Sequence, residues 1–254
     1  MASTPINLNA DLGESFGAWT MGDDPALLKI VNSANIACGF HAGDPTVMQA
    51  TVRLALAQGV SIGAHPSYPD LQGFGRRVMQ MSSQDMQAML LYQIGALQAI
   101  AAAEGGRVSH VKPHGALNNV ACANKEVAMT VVQTLQKLDA SMILLAPAHS
   151  VLAQAAETVG LPVRYEVFAD RAYLDDGQLM PRSRPGAVLH EPQACVDHVL
   201  RMLRAGAIVT ATNQQLPCRI DSICVHGDGP EAVHTARTIR QALEAAGYTL
   251  QPLA

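Results

Sequence analysis

Seven short apolar runs, spread along the whole sequence, limit what this chain can fold into more than any other feature. Longer amphipathic segments separate the runs, and this alternation is typical of β/α units around a parallel sheet. The length of 254 residues is also usual for a β/α barrel. We therefore predict an α/β fold in which residues 1–254 form one β/α-barrel catalytic domain. The predicted strands are Ile6–Ala10, Ala34–Cys38, Val60–Ala64, Val108–Lys112, Met142–Ala146, Val163–Val167 and Ser222–Val225.

The segments between these strands carry the signals of helices. Asp44 followed by Pro45, for example, offers an N-cap and a proline at the first helical position. Between Gly177 and Cys218 the rhythm changes, and shorter extended runs around one helix predict an insertion or a hairpin before the last strand. The predicted helices are Pro25–Val31, Pro45–Gln58, Ser83–Glu104, Lys125–Leu138, Ser150–Val159, Pro192–Ala205 and Pro230–Ala246.

Charge and composition exclude several classes of protein. A net charge of −4, with scattered Lys and Arg residues, argues against nucleic acid as a partner. The first residues show no signal peptide, and we find no apolar stretch of the roughly 20 residues that a membrane helix needs. Five cysteines without a CxxC pair suggest neither a disulfide framework nor a zinc knuckle. We expect a cytoplasmic protein that acts on a small molecule and not at a membrane.

Polar residues follow nearly every predicted strand at its C-terminal end. In a parallel barrel these ends share one rim, which is where barrel enzymes place their active sites. Any one of these residues, such as Asp228 after the last strand, is readily explained as a helix cap or a solvated loop residue. Seven of them on one rim are improbable as accidents, and they form our candidate site: Asp11, His41, His65, Lys112, His114, Glu166 and His226. For the four remaining histidines outside the strand ends we expect structural or surface roles: His110, His190, His198 and His234.

The segment Gly73–Arg77, with the sequence GFGRR, could bind an anion through Arg76 and Arg77. It lacks the Gly-Lys-Ser/Thr ending of a phosphate-binding P-loop, and it does not open a helix after a strand as a dinucleotide motif does. The sequence therefore shows no ATP site.

Seven blocks of this sequence closely resemble the LamB/YcsF family, and they follow one another in order over almost the whole chain. The blocks are NLNADLGE from Asn7, NIACGFHAGDP from Asn35, GAHPSYPD from Gly63, GFGRR from Gly73, VKPHGALNN from Val111, EVFADRAY from Glu166 and CVHGDGP from Cys224. The family comprises the A subunits of bacterial ATP-dependent 5-oxoprolinase. The resemblance implies an irregular seven-stranded β/α barrel of the glycoside hydrolase and deacetylase type. It also implies conversion of 5-oxo-L-proline (pyroglutamate) to L-glutamate at the expense of ATP, together with subunits B and C.

Opening this lactam is amide hydrolysis, which needs an activated water, a stabilised oxyanion and a protonated leaving nitrogen. We expect ATP to be a co-substrate that the partner subunits use to activate the ring, which this chain then opens. Our candidate bases are Asp11 and Glu166, and His114 could donate to the leaving nitrogen. The other candidates are His41, His65 and His226 as acid, base or metal ligands, and Asn9, Lys112, Asp170 and Arg171 as substrate-binding residues.

The sequence is compatible with more than one ligand set and more than one function. Asp11, His41 and His65 form a credible ligand set for Zn²⁺, Mn²⁺ or Co²⁺, although the short HxxxH spacing of the deacetylases is absent and separate hydrogen-bonding roles would explain the same residues. Two other functions also fit the site. One is a stand-alone metal-dependent deacetylase or amidohydrolase, and the other is a non-catalytic protein of the complex that only binds substrate.

Overall fold

The computed structural model describes residues 4–226 and 231–253, and seven parallel strands within them close into a barrel. In chain order the strands are β1 (Thr4–Leu12), β2 (Ser33–Ala37), β3 (Ser61–His65), β4 (Val108–Val111), β5 (Ile143–Pro147), β6 (Val163–Phe168), β7 (Ala207–Val209), β8 (Gln215–Pro217), β9 (Ser222–Val225) and β10 (Tyr248–Leu250). The barrel order is β1-β2-β3-β4-β5-β6-β9, and β9 pairs back with β1, so that Asn9 is opposite Cys224. This is the irregular seven-stranded barrel predicted from the sequence.

Helices follow most of the barrel strands and cover them. They are α1 (Asp24–Leu27), α2 (Pro45–Ala57), α3 (Ser83–Ala103), α4 (Gly115–Ala123), α5 (Lys125–Leu138), α6 (Val151–Val159), α7 (Pro192–Ala205) and α8 (Ala232–Ala245). The predicted cap is present at α2, where the Asp44 carboxylate accepts from the backbone N–H of Thr46 at 2.8 Å. Such a cap satisfies one of the donors that a helix start leaves without an intrahelical partner.

The seven predicted barrel strands are confirmed, with boundaries that shift by one or two residues. The predicted hairpin before the last strand is the antiparallel pair β7 and β8. The predictions missed α4 and β10, and β10 lies alongside the start of β1 with Thr4 opposite Tyr248. Asp228 lies outside the described residues.

The strand β1 shows how the barrel separates apolar from polar side chains. Successive side chains of a strand point to opposite faces. Leu8 and Ala10 are fully buried and belong to the hydrophobic core, whereas Asn7, Asn9 and Asp11 hydrogen-bond across the barrel interior. The interior of the barrel is therefore a column of polar residues that leads up to the rim.

The helix α3 is, by length and mean hydropathy, apolar enough to cross a membrane, which the sequence analysis had not anticipated. Its buried residues include Leu90, Ile94 and Leu97, which belong to the same hydrophobic core as the barrel strands. The helix contacts β3, β4 and α5. Its apolar character is thus explained by packing against the barrel.

Candidate active site

A cavity of about 510 Å³ lies at the carboxyl ends of the barrel strands. This size is in the range of small-molecule sites. Its lining contains these predicted site residues: Asp11, His65, Arg76, Lys112, His114, Arg171 and His226. Four other predicted residues contact the lining from behind: Asn9, His41, Glu166 and Asp170. The cavity thus lies at the end of the barrel where we predicted the site.

Lys112 is the centre of a buried network of charges. Its Nζ lies 2.9 Å from Asp11 Oδ1 and 3.2 Å from Glu166 Oε1, and it also donates to Cys224 Sγ at 3.0 Å. Asn9 Nδ2 donates to the same Glu166 oxygen at 2.8 Å. Asn9, predicted to bind substrate, and Glu166, predicted to be a base, therefore both hold Lys112 in place from beneath.

The charges of this network control one another. Burial alone would raise the pKa of Asp11, but the charges of His65 and Lys112 outweigh it and hold that pKa well below its usual range. Burial likewise opposes the charged form of Lys112, yet the facing Asp11, Cys224 and Glu166 raise its pKa. For Glu166 burial dominates and raises the pKa of the carboxyl, against the opposing charge of Lys112. Asp11 and Lys112 therefore face the cavity as a permanent ion pair.

Asn35 and His110 support this ion pair, and the sequence analysis did not include them in the site. Asn35 Nδ2 donates to Asp11 Oδ1 at 2.9 Å and to Asn9 Oδ1 at 2.8 Å, while His110 Nε2 donates to Asn35 Oδ1 at 3.0 Å. A side chain at Gly63 would overlap the His110 ring, which explains why glycine stands there. The available signal was a polar residue within an apolar strand, which in a barrel indicates an inward position.

Four buried side chains from the ends of the first four strands form a second group, which we call the histidine cluster: Glu14, His41, His65 and His114. His114 Nδ1 lies 2.9 Å from His65 Nε2, and Glu14 Oε1 lies 3.1 Å from His41 Nε2. The rings of His41 and His114 stack with centroids 3.8 Å apart. Burial, together with the charge of neighbouring histidines, lowers the pKa of His41 and of His114 well below the ordinary value, so that both rings are neutral at pH 7.

The histidine cluster contains two of the three predicted metal ligands, His41 and His65, but not Asp11. The structure brings His41 and His65 together with Glu14 and His114, and one ligand atom of each lies within 4.8 Å of the ligand atoms of the others. Asp11 Oδ2 lies 3.3 Å from His65 Nε2, but its other oxygen is already paired with Lys112. Glu14 is thus the carboxylate that belongs to the cluster, and the site prediction had not included it.

The GFGRR turn covers the histidine cluster. A Cβ at Gly75 would lie 2.8 Å from His114 Cδ2 and 2.9 Å from His41 Cβ, so only glycine permits this approach. The structure separates the two arginines that we predicted to bind an anion. Arg76 lines the cavity, with its guanidinium over the Phe74 ring, whereas Arg77 is engaged by Asp70, to which its Nε donates at 2.8 Å.

His226 and Asp170 form a pair on the β6 and β9 side of the cavity. His226 Nδ1 donates to Asp170 at 2.7 Å, and Arg182 Nη2 lies 3.3 Å from the other ring nitrogen. Burial opposes the charged form of His226, but the charge and the hydrogen bond of Asp170 outweigh it and raise the pKa of the ring. Asp170, predicted to bind substrate, thus lies against His226 and favours the charged form of its ring, whereas the charge of Arg182 opposes that form.

The segment after β6 forms one wall of the cavity, with Gly177 to Arg182 among its lining residues. Arg171 Nη2 donates to the Met180 carbonyl oxygen at 2.7 Å, and this hydrogen bond holds the segment against the end of β6. Arg182, which is not among the predicted site residues, adds a positive charge beside Arg171 and Arg76. These arginines and Lys112 make the cavity suitable for an anionic ligand.

Two kinds of comparison give close relatives. A family model described as LamB/YcsF matches residues 6–254. The A subunit of 5-oxoprolinase from Azoarcus sp. strain BH72 is 59% identical over 245 residues, with 96% of each chain covered. The A subunit of 5-oxoprolinase from Rhodopseudomonas palustris is 52% identical over 250 residues, with 98% of each chain covered.

Two solved structures are similar to this chain in fold. The crystal structure of a lactam utilization protein from Thermus thermophilus has a TM-score of 0.92 and 43% identity, and covers 98% of this chain and 99% of its own. The catalytic domain of a peptidoglycan N-acetylglucosamine deacetylase from Eubacterium rectale has a TM-score of 0.53 and 13% identity over 100% of this chain and 90% of its own. The second likeness concerns the fold alone, which is the deacetylase type of barrel.

Proposed function

The chain belongs to the LamB/YcsF family, and from this premise we propose that it is the A component of an ATP-dependent 5-oxoprolinase. In this proposal it opens the lactam of 5-oxo-L-proline, after activation by ATP on partner subunits B and C, and L-glutamate is the product. The observation that carries the proposal is the cavity in which a buried Asp11–Lys112 ion pair meets a His226–Asp170 pair. Near full-length relatives that bear the 5-oxoprolinase name support the choice of substrate.

Ring opening needs a water that adds to the lactam carbon. Asp11 is anionic and its Oδ2 faces His65, so we assign Asp11 as the group that orients this water and accepts its proton. Glu166 lies behind Lys112 with no exposed surface, and we assign it to holding the ammonium group. Lys112 then stabilises negative charge on the oxygen of the reacting carbon.

The carbon–nitrogen bond then breaks, and the nitrogen must leave as an amino group with an added proton. We assign this donation to His226, because the facing Asp170 favours its charged form. His114 is less suited than the sequence suggested, since its Nε2 already donates to the Phe74 carbonyl oxygen at 2.8 Å. Arg171, Arg182 and Arg76 line the cavity, and we assign their positive charges to attracting the substrate carboxylate or a phosphate group.

The histidine cluster beside the cavity has donor atoms that fit a divalent metal. A metal bound there would polarise a substrate oxygen as a Lewis acid. Because the proposed reaction consumes ATP, we assign the complex to the cytoplasm. We also retain the prediction that the chain acts as one catalytic domain.

The test is an assay of glutamate formation from 5-oxo-L-proline with this chain alone, with subunits B and C, and with or without ATP. We expect turnover only when the partners and ATP are both present, and its loss in an Asp11→Asn variant. Asp197→Asn, at an exposed position on α7, is the matched control and should keep the wild-type rate.

Two outcomes would contradict the proposal. Release of acetate from acylated sugars or amines without ATP would identify a stand-alone deacetylase. Wild-type glutamate formation by a folded Asp11→Asn complex would identify a protein that binds substrate without performing the chemistry.

A further inference from the structure

The histidine cluster combines four potential ligand atoms from four consecutive strands. Its members lie at or just after the carboxyl ends of β1, β2, β3 and β4, so the barrel itself brings them together. All four side chains are buried, and Glu14, His65 and His114 line the cavity. Imidazole nitrogens with a carboxylate oxygen are the donors that zinc and its neighbours in the first transition row accept.

The hydrogen bonds of His65 and His114 establish where their lone pairs point. His65 Nδ1 lies 2.6 Å from the Lys112 carbonyl oxygen, and His114 Nε2 lies 2.8 Å from the Phe74 carbonyl oxygen. A carbonyl oxygen only accepts, so each of these nitrogens carries a proton. The other nitrogen of each ring is therefore the one that can offer a lone pair to an ion.

These two nitrogens, His65 Nε2 and His114 Nδ1, face each other at 2.9 Å, and Glu14 Oε1 lies 3.5 Å from His114 Nδ1. Two imidazole nitrogens and a carboxylate oxygen at such distances repel one another unless a positive charge, either an ion or a proton, lies among them. Backbone carbonyls that hold the far nitrogen of a histidine are the usual second shell of a metal site.

Two further observations indicate a built site. His41 is 1% exposed, and among the described residues its Nδ1 is a buried nitrogen without a hydrogen-bond partner. Phe74 has a φ of 54°, in the left-handed region that residues other than glycine seldom adopt. It is this turn that presents its carbonyl oxygen to His114, and backbone strain of this kind is concentrated at functional sites.

We propose that Glu14, His41, His65 and His114 bind one divalent first-row transition ion, of which Zn²⁺ is the best match to three imidazoles and a carboxylate. The metal site is independent of the proposed reaction, since it rests on these contacts and not on the identity of the substrate.

A second group with ligand atoms in reach of one another, Asp11, Cys224 and His226, does not fit a cation equally well. The Lys112 ammonium lies 2.9 Å from Asp11 Oδ1 and 3.0 Å from Cys224 Sγ, so a positive charge already occupies that position. The two groups also differ in chemistry, since only the second contains sulfur.

The test uses the full chain, treated with a chelator and dialysed, and titrated with Zn²⁺ and Co²⁺ by calorimetry. We expect one equivalent of ion per chain and a visible absorption spectrum for the Co²⁺ form. X-ray absorption at the zinc edge should show three imidazoles and no sulfur ligand. This measurement needs only the wild-type chain, so it decides the matter even where a variant fails to fold.

Variants then locate the ion. Because changes even to second-shell partners typically weaken metal binding by 10–100-fold, Glu14→Gln, His65→Gln and His114→Gln should each weaken it by about 100-fold or more. His234→Gln, an exposed histidine on α8, is the matched control and should bind as the wild type does. Asp11→Asn should keep one equivalent of ion while ring opening is lost.

Three results would overturn the proposal. The first is a wild-type chain that takes up neither ion at one equivalent; a proton shared by His65 and His114 would then explain their contact. The second is sulfur scattering at the zinc edge. The third is retention of the ion by a folded Glu14→Gln chain together with its loss in Asp11→Asn. A chain that binds the ion but opens no lactam would leave this site standing and contradict only the proposed function.

Discussion

The two ends of the barrel interior are both polar, but they differ in charge and in what closes them. At the amino-terminal end Asn7 Nδ2 donates to Ser33 Oγ at 2.8 Å, and Ser222 Oγ donates to Asn7 Oδ1 at 2.6 Å. The end of the chain covers this network, because Asn7 also donates to the Gln251 carbonyl oxygen at 2.7 Å. At the carboxyl-terminal end the polar residues are charged and face an open cavity.

This difference separates structural from functional polarity. A neutral network whose donors and acceptors match each other stabilises the barrel without taking part in chemistry. Buried charges are costly, and a carboxylate oxygen such as Glu166 Oε2, which has no hydrogen-bond partner among the described residues, adds to that cost. A group of charges at the open end is therefore better explained by function than by stability, which agrees with the general division between the two faces of such barrels.

The largest effect should come from Lys112→Met. The variant leaves the buried carboxyl groups of Asp11 and Glu166 without their ammonium partner, and it removes the proposed oxyanion donor. We expect ring opening in the assembled complex to fall by about 10²–10³-fold or more. Urea unfolding should show a loss of about 3–5 kcal/mol. Lys125→Met, at the exposed start of α5, is the control; equal effects in the two variants would contradict a special role for Lys112.

A smaller effect is expected for Asp170→Asn, which keeps the shape of the His226 partner but removes its charge. The rate should fall by about 10²-fold, the lower range for general acid catalysis. The pKa of His226, followed by NMR, should fall in the same variant. A lowered rate with an unchanged pKa would show that Asp170 acts in some other way.

At the opposite end of the barrel, Asn7→Ala should affect stability alone. The substitution leaves the hydroxyl group of Ser222 without its acceptor and the Gln251 carbonyl oxygen without its donor. We expect a loss of about 1–3 kcal/mol in the free energy of unfolding. The rate of glutamate formation, measured below the unfolding transition, should equal that of the wild type. A large loss of rate would contradict the view that the polar residues at this end have a structural role alone.

The smallest effect concerns pH. The pKa of His226 is higher in the folded protein than the usual value of about 6.5, which represents the unfolded chain. Its contribution to stability is therefore complete below that value and is lost as the pH rises through the folded pKa. Urea unfolding at pH 6 and pH 9 should show a larger decrease for the wild type than for His226→Gln. An identical decrease would show that Asp170 does not favour the charged ring.

Local pattern was sufficient to place the barrel strands and the helices α5 and α7. Strand and helix periodicity arises from burial on one face of the element. The resulting pattern of apolar residues can be recognised within a short stretch of sequence. The same holds for the rim, because the carboxyl ends of parallel strands must meet at one end of a barrel. Local pattern failed at α4, where Gly115, Asn118 and Asn119 have low helix propensity and packing against α5 and α6 stabilises the helix instead. It also failed at β10, three residues that form a strand only through pairing with β1.

The pairing of side chains within the rim depends on tertiary structure. Asp170 and His226 are 56 residues apart, and nothing near either residue shows that one charges the other. The choice of Glu14 over Asp11 in the histidine cluster, and the separation of Arg76 from Arg77, likewise depend on ångström-scale distances between loops. The sequence thus sets which residues reach the rim, because that follows from local periodicity. Proton positions and ligand sets follow from contacts between distant strands, which only the closed barrel creates.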